Sequence, residues 1–286
     1  MGMELNSRMT RTIPMKSVQN ILIVAIALLF VGCGSNTQLA NENASVRAGS
    51  ITVSAAVSLK DAFTEIGEIY KAGKGDGAAV QFNFGASGVL QQQIENGAPV
   101  DVFASAGEKQ MDALAAKQLI DTGSRSDFAR NTLVLIVPEH ADVSVASFAD
   151  LASPTVKKIA VGNPKTVPAG QYAGEALGKM GLTDKVADRL VLAENVRQVL
   201  DYVVRGEVEA GIVYSTDAKQ AGSKVKIVAT ADPNTHAPIL YPIAAIKASS
   251  HSKPAKEFID LVRSVEGQKV LAKYGFSSAN ASNPNQ

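Results

Sequence analysis

Tryptophan is absent from this chain of 286 residues, cysteine occurs once and histidine three times. Without tryptophan, an intrinsic fluorescence signal has to come mainly from the 6 tyrosines. His140, His236 and His251 are scattered, with no short spacing between any two, so by themselves they make no His-rich metal site. Catalytic metal chemistry is not expected. An excess of charge is missing too: 28 Lys and Arg face 27 Asp and Glu, leaving +1. There is no basic field to hold nucleic acid and no acidic tail. Only 19% of the residues are charged and 46% are hydrophobic, an ordinary globular composition. At this length it supports one large domain or two lobes, each with its own core.

The single cysteine, Cys33, closes the run ILIVAIALLFVGC and is followed by GSNTQLANENAS. Arg8, Arg11 and Lys16 precede an apolar core from Ile21 to Val31 that is too short and too one-sidedly flanked for a transmembrane span. Residues 1–33 are therefore expected to be an export signal. Gly32 before Cys33 resembles the lipobox of bacterial lipoproteins, which implies an acylated Cys33 as first mature residue; Phe30 departs from the usual leucine there. The alternatives are an uncleaved membrane anchor or a simple cleaved signal peptide. In each case the folded part faces the outside of the inner membrane, periplasmic or anchored as a lipoprotein. The Asn, Ser, Ala and Gly content of residues 34–49 reads as a flexible tether.

From Ser50 onward, short β-branched runs alternate with amphipathic runs, which argues for an α/β fold with mainly parallel strands. SITVSAAV reads as a strand and LKDAFTEIGEIYKAG as a helix. Leu59, Ala62, Phe63, Ile66, Ile69 and Tyr70 share one helical face as a core stripe, and Gly73 supplies a stop. AVQFNFGAS, VLQQQIEN, DVFASA and EKQMDALAAKQL continue the rhythm, and ARNTLVLIVPE reads as one long apolar strand. A second series follows: KIAVGNP, a helix from about Gln171 to Lys179, VRQVLDYVVRGE and EAGIVYSTDA. YPIAAIKAS is a strand that can cross back, and PAKEFIDLVRSVEGQKVLAKYG supplies helices to finish the first lobe. The expected division is residues 50–130 plus 243–286 in one lobe and 131–242 in the other, with a ligand cleft between them.

AAVSLKDAF, FGASGVLQQ, VPAGQYAGEAL and ENVRQVL share one pattern: a strand ends, small residues follow and a helix begins. The first helical turn carries unpaired amide donors and the positive end of the dipole, a natural seat for an oxyanion. In open α/β sheets such loops sit at the carboxyl ends of strands, where ligands bind. Each loop also has a plain structural reading. Ser58, with Asp61 three residues on, is a conventional N-cap, and Ser87 can be the same. Val196 belongs with Val199, Leu200 and Val203 to an apolar helix face, and Ala169 and Gly170 after Pro168 can simply start a helix. Tyr214 can be a core tyrosine with its hydroxyl satisfied at the surface.

In combination, AAVSL, FGASGVLQQQIENGAPVDVFASA, AVGNPKTVPAGQYAGEAL, ENVRQVL, GIVYSTDA and the closing KYGF resemble, in order, the molybdate-binding proteins of bacterial ABC importers. The resemblance spans nearly all of the chain from Ile51 to Phe276. It implies a two-lobed periplasmic-binding-protein fold, each lobe a mainly parallel sheet flanked by helices. It further implies a non-enzymatic protein that captures molybdate, and tungstate with it, for a membrane permease driven by an ATPase. Molybdenum would be held only as the oxyanion, by the hydroxyls and amides of Ser58 and Ser87, the amides of Ala169 and Val196 and the Tyr214 hydroxyl. No cofactor is implied, and a monomer is expected.

The chemistry agrees with that donor set. Molybdate and tungstate carry no proton at neutral pH and offer only acceptors, whereas protonated phosphate also carries a donor and calls for an acceptor such as Asp. Sulfate is fully ionised as well and remains an alternative ligand. Arg197, beside Val196, is expected to face solvent or pair with Glu194. A serine hydrolase with Ser87 as nucleophile is a minor alternative that fails on pattern. Gly85, Ser87 and Val89 break Gly-x-Ser-x-Gly, the second glycine coming one residue early at Gly88, and no histidine sits in a loop with an evident acidic partner.

Overall fold

The computed structural model describes residues 50–75, 78–141 and 144–279. The expectations for the export signal, Cys33 and the tether lie outside the described residues. The first series runs β1 (Ile51–Ala56), α1 (Lys60–Lys74), β2 (Val80–Gly85), α2 (Ser87–Glu95), β3 (Val102–Ala104), α3 (Glu108–Ala116) and β4 (Ser126–Arg130). The second runs β5 (Leu133–Pro138), β6 (Ile159–Gly162), α4 (Pro168–Lys179), α5 (Thr183–Val186), β7 (Leu190–Ala193), α6 (Val196–Val204), β8 (Ala210–Tyr214), α7 (Ser215–Ala221) and β9 (Val225–Thr230). The chain then returns through β10 (Leu240–Ala245), α8 (Ser252–Arg263), α9 (Val265–Lys273) and β11 (Ser277–Ser278).

Two sheets result, ordered β11-β4-β10-β3-β1-β2 and β7-β6-β8-β5-β9, each flanked by helices, so the α/β fold has two lobes. β1 pairs in parallel with β2 and β3, and β6 with β7 and β8, because helices carry the chain back between these strands. The other pairs are antiparallel: β10 with β3 and β4, β11 with β4, and β5 with β8 and β9. Each sheet is thus parallel around β1 or β6 and mixed as a whole.

Local chemistry explains most boundaries. α1 buries Ala62, Phe63, Ile66 and Tyr70 of the expected stripe, with Ile69 half-buried and Leu59 buried in the turn before it, but runs through Gly73. It stops at Gly75, whose φ of 83° suits a residue without a side chain. The long apolar strand expected in ARNTLVLIVPE is two strands, β4 and β5, in different sheets. The break falls at Asn131 and Thr132, where the Asn131 amide nitrogen bonds Thr216 Oγ1 at 2.9 Å and Tyr241 Oη at 3.1 Å. α8 sets Ala255, Phe258, Ile259 and Val262 inward, and the Phe258 ring meets Phe63 of α1 edge-on at 5.8 Å. Burying such a side chain contributes about 1.5–3 kcal/mol, which ties the returning helices to the first sheet.

The topology places the carboxyl ends of β1, β2, β6, β7 and β8 just before Ser58, Ser87, Ala169, Val196 and at Tyr214, respectively. Strand-end loops from both sheets thereby converge.

Candidate functional site

Ser58, Ser87, Ala169, Val196 and Tyr214 all line one small cavity, together with Ala106 and Pro168. All five are buried. Such a tightly closed cavity suits a compact ligand rather than a drug-sized one.

Ser87 opens α2 but does not cap it: Ala86 holds the cap position, with no side-chain cap bond. The Ser87 hydroxyl instead accepts the Ala106 N–H at 3.0 Å. With that lone pair occupied, its own proton can point into the cavity. Ser58 departs from the cap expectation as well. It lies within the single turn Val57–Leu59 ahead of α1, makes no cap bond, and sits 3.1 Å from Tyr241 Oη. Both serines answer to distant partners, which outweigh local cap propensity.

A relay orients Ser58. The Asn131 side-chain oxygen accepts the Thr132 N–H at 2.9 Å and the Ser215 hydroxyl at 3.1 Å, so its amide nitrogen faces Tyr241 and donates to Oη at 3.1 Å. Burial holds the Tyr241 pKa far above the usual value, so its proton stays on, and Tyr241 Oη shares a hydrogen bond with Ser58 Oγ in which either hydroxyl can donate. When Tyr241 donates, the Ser58 proton is left for the cavity.

Ala169 follows Pro168 in the first turn of α4, and Val196 is the first residue of α6. The Asn195 side chain caps α6 by accepting the Gln198 N–H at 3.0 Å. Among the described residues, no backbone carbonyl accepts from the amides of Ser87, Ala169 or Val196, as expected of first-turn donors. α4 can approach this closely because a Cβ on Gly170 would overlap the Gly162 carbonyl. Gly162 and Gly170 of AVGNPKTVPAG are the sequence signal of that approach. Tyr214 is not satisfied at the surface. It is wholly buried, its hydroxyl donates to the Ala106 carbonyl at 3.3 Å, and burial holds its pKa well above the ordinary value, so it can act only as a protonated group.

Among the described residues, no carboxylate, lysine or arginine lines the cavity. Arg197 neither faces solvent nor pairs with Glu194, as its sequence neighbourhood suggested. Its Nε donates to Asp217 Oδ1 at 2.6 Å and an Nη to Asp61 Oδ2 at 2.7 Å. Burial works against the Arg197 charge, but the two aspartates outweigh it and raise its pKa. Burial also pushes Asp217 up to about 6 against the pull of Arg197.

His140, His236 and His251 are not among the residues that line the cavity with Ser87. His251 does have an acidic partner, contrary to the sequence reading, with Nδ1 3.1 Å from Asp101 Oδ1. Asp101 also takes the Thr52 N–H at 2.7 Å and the Ser249 hydroxyl at 2.6 Å, a structural brace apart from the cavity. Among the described residues, no group of His, Cys, Asp and Glu could hold a metal ion, and no helix is long and apolar enough to cross a membrane.

The family model of bacterial extracellular solute-binding proteins matches residues 51–277. The chain belongs to this family. This solute-binding protein is 42% identical over 266 residues to a Bacillus subtilis protein whose name places it among ABC transporter substrate-binding lipoproteins, covering 91% of this chain and 98% of that one. It is 37% identical over 258 residues to the molybdate-binding protein of Haemophilus influenzae, covering 89% and 97%. The structure of the periplasmic molybdate-binding protein of Azotobacter vinelandii superposes with a TM-score of 0.71 at 25% identity, covering 79% and 98%. The family binds solutes outside the cytoplasm and is not a family of enzymes, so the hydrolase alternative is set aside.

Proposed function

We propose that this solute-binding protein captures molybdate, and tungstate with it, in the cavity between its lobes and delivers it to the permease and ATPase of an ABC importer. The observation that carries this reading is the buried donor set of Ser58, Ser87, Ala169, Val196 and Tyr214 around a small cavity that no charged side chain among the described residues lines. A fully ionised tetrahedral dianion offers acceptors alone, and each hydroxyl or amide donor meeting it contributes roughly 1.5–3 kcal/mol in a dry, preorganised site. The relatives named for molybdate support the choice of ligand. Tyr214 would turn its O–H from the Ala106 carbonyl toward the anion, a rotation about one bond. The lobes, joined at Asn131–Thr132 and between β9 and β10, would close on the ligand by rotation about those crossings. The protein is proposed to act as a monomer, and to be held at the membrane through acylated Cys33; the lipoprotein name of the Bacillus relative supports the anchor.

Calorimetric titration of the purified mature protein with molybdate, tungstate and sulfate tests the ligand. Tight binding of the first two and weak binding of sulfate is expected. Tight sulfate binding without a molybdate response refutes the choice. Mass spectrometry of the mature N-terminus is expected to find a diacylglyceryl cysteine at position 33; an unmodified terminus elsewhere refutes the anchor.

A further inference from the structure

We infer that Arg197 is a latch between the lobes, tied within one lobe by Asp217 and engaging Asp61 of the other lobe when the cleft shuts. The inference rests on the capture-and-closure reading above. Arg197 immediately follows Val196 on α6, and Asp61 lies in the first turn of α1, three residues after Ser58. The ion pair therefore crosses the cleft directly behind two of the proposed ligand donors.

The two carboxylates have different tasks. Asp217, at the start of α7, belongs to the same lobe as Arg197, is completely buried and takes Nε at 2.6 Å. This contact survives any rigid separation of the lobes, so it keeps the guanidinium aimed with few rotamers to lose. Asp61 belongs to the first lobe, and its 2.7 Å contact with Nη2 exists only when α1 and α6 are together. The planar fork of arginine serves two partners at once in this way, which a lysine point charge does not. Side-chain exposures of 20% for Arg197 and 27% for Asp61 leave the pair open to salt, so it responds to ionic strength. A contact formed after encounter acts on release rather than capture.

Asp61→Asn is the chosen test because it spares the buried Arg197–Asp217 pair and therefore the fold. Stopped-flow tyrosine fluorescence gives the association and release rates of molybdate for the wild type, Asp61→Asn and Asp61→Glu at low and high sodium chloride. The expected result is release accelerated roughly 3- to 30-fold in Asp61→Asn, with association within twofold of wild type and partial rescue by Asp61→Glu. Salt should accelerate release from the wild type and not from Asp61→Asn. Unchanged release in Asp61→Asn, or equal salt sensitivity in both, overturns the latch. If wild-type protein fails to bind molybdate, the ligand assignment is wrong, and the latch is judged by the same rates with whichever of tungstate or sulfate binds.

Discussion

Replacing Gly88 by alanine adds one methyl group where the two lobes touch. Gly88 lies in the first turn of α2 and donates its N–H to the Thr166 carbonyl, on the loop before α4, at 2.9 Å. A Cβ at Gly88 would stand 2.6 Å from that oxygen and 2.8 Å from the Thr166 Cα. Both are backbone atoms, so no flexible side chain can yield and the lobes must move apart. The closed form would lose the hydrogen bond, about 0.5–1.5 kcal/mol, and take on overpacking of about 1–3 kcal/mol. A net penalty of about 2–4 kcal/mol on closure weakens molybdate binding by roughly 30- to 1,000-fold, at 1.4 kcal/mol per factor of ten. The open form gains rather than loses, because alanine is the better helix former by up to about 1 kcal/mol. Calorimetry should therefore show much weaker binding, while the ligand-free thermal midpoint stays level or rises slightly. Affinity within threefold of wild type would refute closure along the Gly88–Thr166 contact, and a fallen ligand-free midpoint would refute the assignment of the strain to the closed state.

Other perturbations separate the donors. Ser87→Ala and Tyr214→Phe should each weaken molybdate binding by about 1–3 kcal/mol without unfolding the protein, as read by calorimetry and circular dichroism; unchanged affinity in both would contradict the donor set. Tyr241→Phe, which removes the group that orients Ser58, should weaken binding less, by about 0.5–1.5 kcal/mol, and an effect larger than that of Ser87→Ala would contradict the relay. Asp217 titrates at about 6 in the folded protein against about 3.9 when unfolded. The folded state therefore binds more protons between these values, so the stability from this group is full below pH about 4 and is lost as pH rises toward 6. Thermal midpoints of the wild type relative to Asp217→Asn should fall across that window and level off above it; a difference independent of pH would contradict the assignment.

Much of the architecture was legible because it is local. The core stripe of α1 and the alternation of strands with helices follow from side-chain periodicity alone. β7 and β9 escaped notice: β7 has only four residues, and β9 is an edge strand with exposed Lys226 and Ile227. The split between β4 and β5 was hidden because Asn131 and Thr132 sit inside an otherwise apolar run, and their role depends on Thr216 and Tyr241 far along the chain. At the candidate site, the helix starts could be read as a class of oxyanion seats, but the partners could not. Ser87 answers to Ala106 and Arg197 to Asp61, contacts between segments whose approach no local pattern encodes. Nor does any local pattern show why position 88 is glycine: the space a side chain would need is filled by the Thr166 backbone of the opposite lobe.

The central claim is that one oxyanion is held between the lobes by hydroxyls and amides alone. Anomalous diffraction at the molybdenum absorption edge from crystals grown with molybdate tests it most directly. The account predicts a single strong peak within hydrogen-bonding reach of Ser58 Oγ, Ser87 Oγ, Tyr214 Oη and the amides of Ala169 and Val196. A peak elsewhere, or one whose oxygens are held by lysine or arginine side chains, would contradict it.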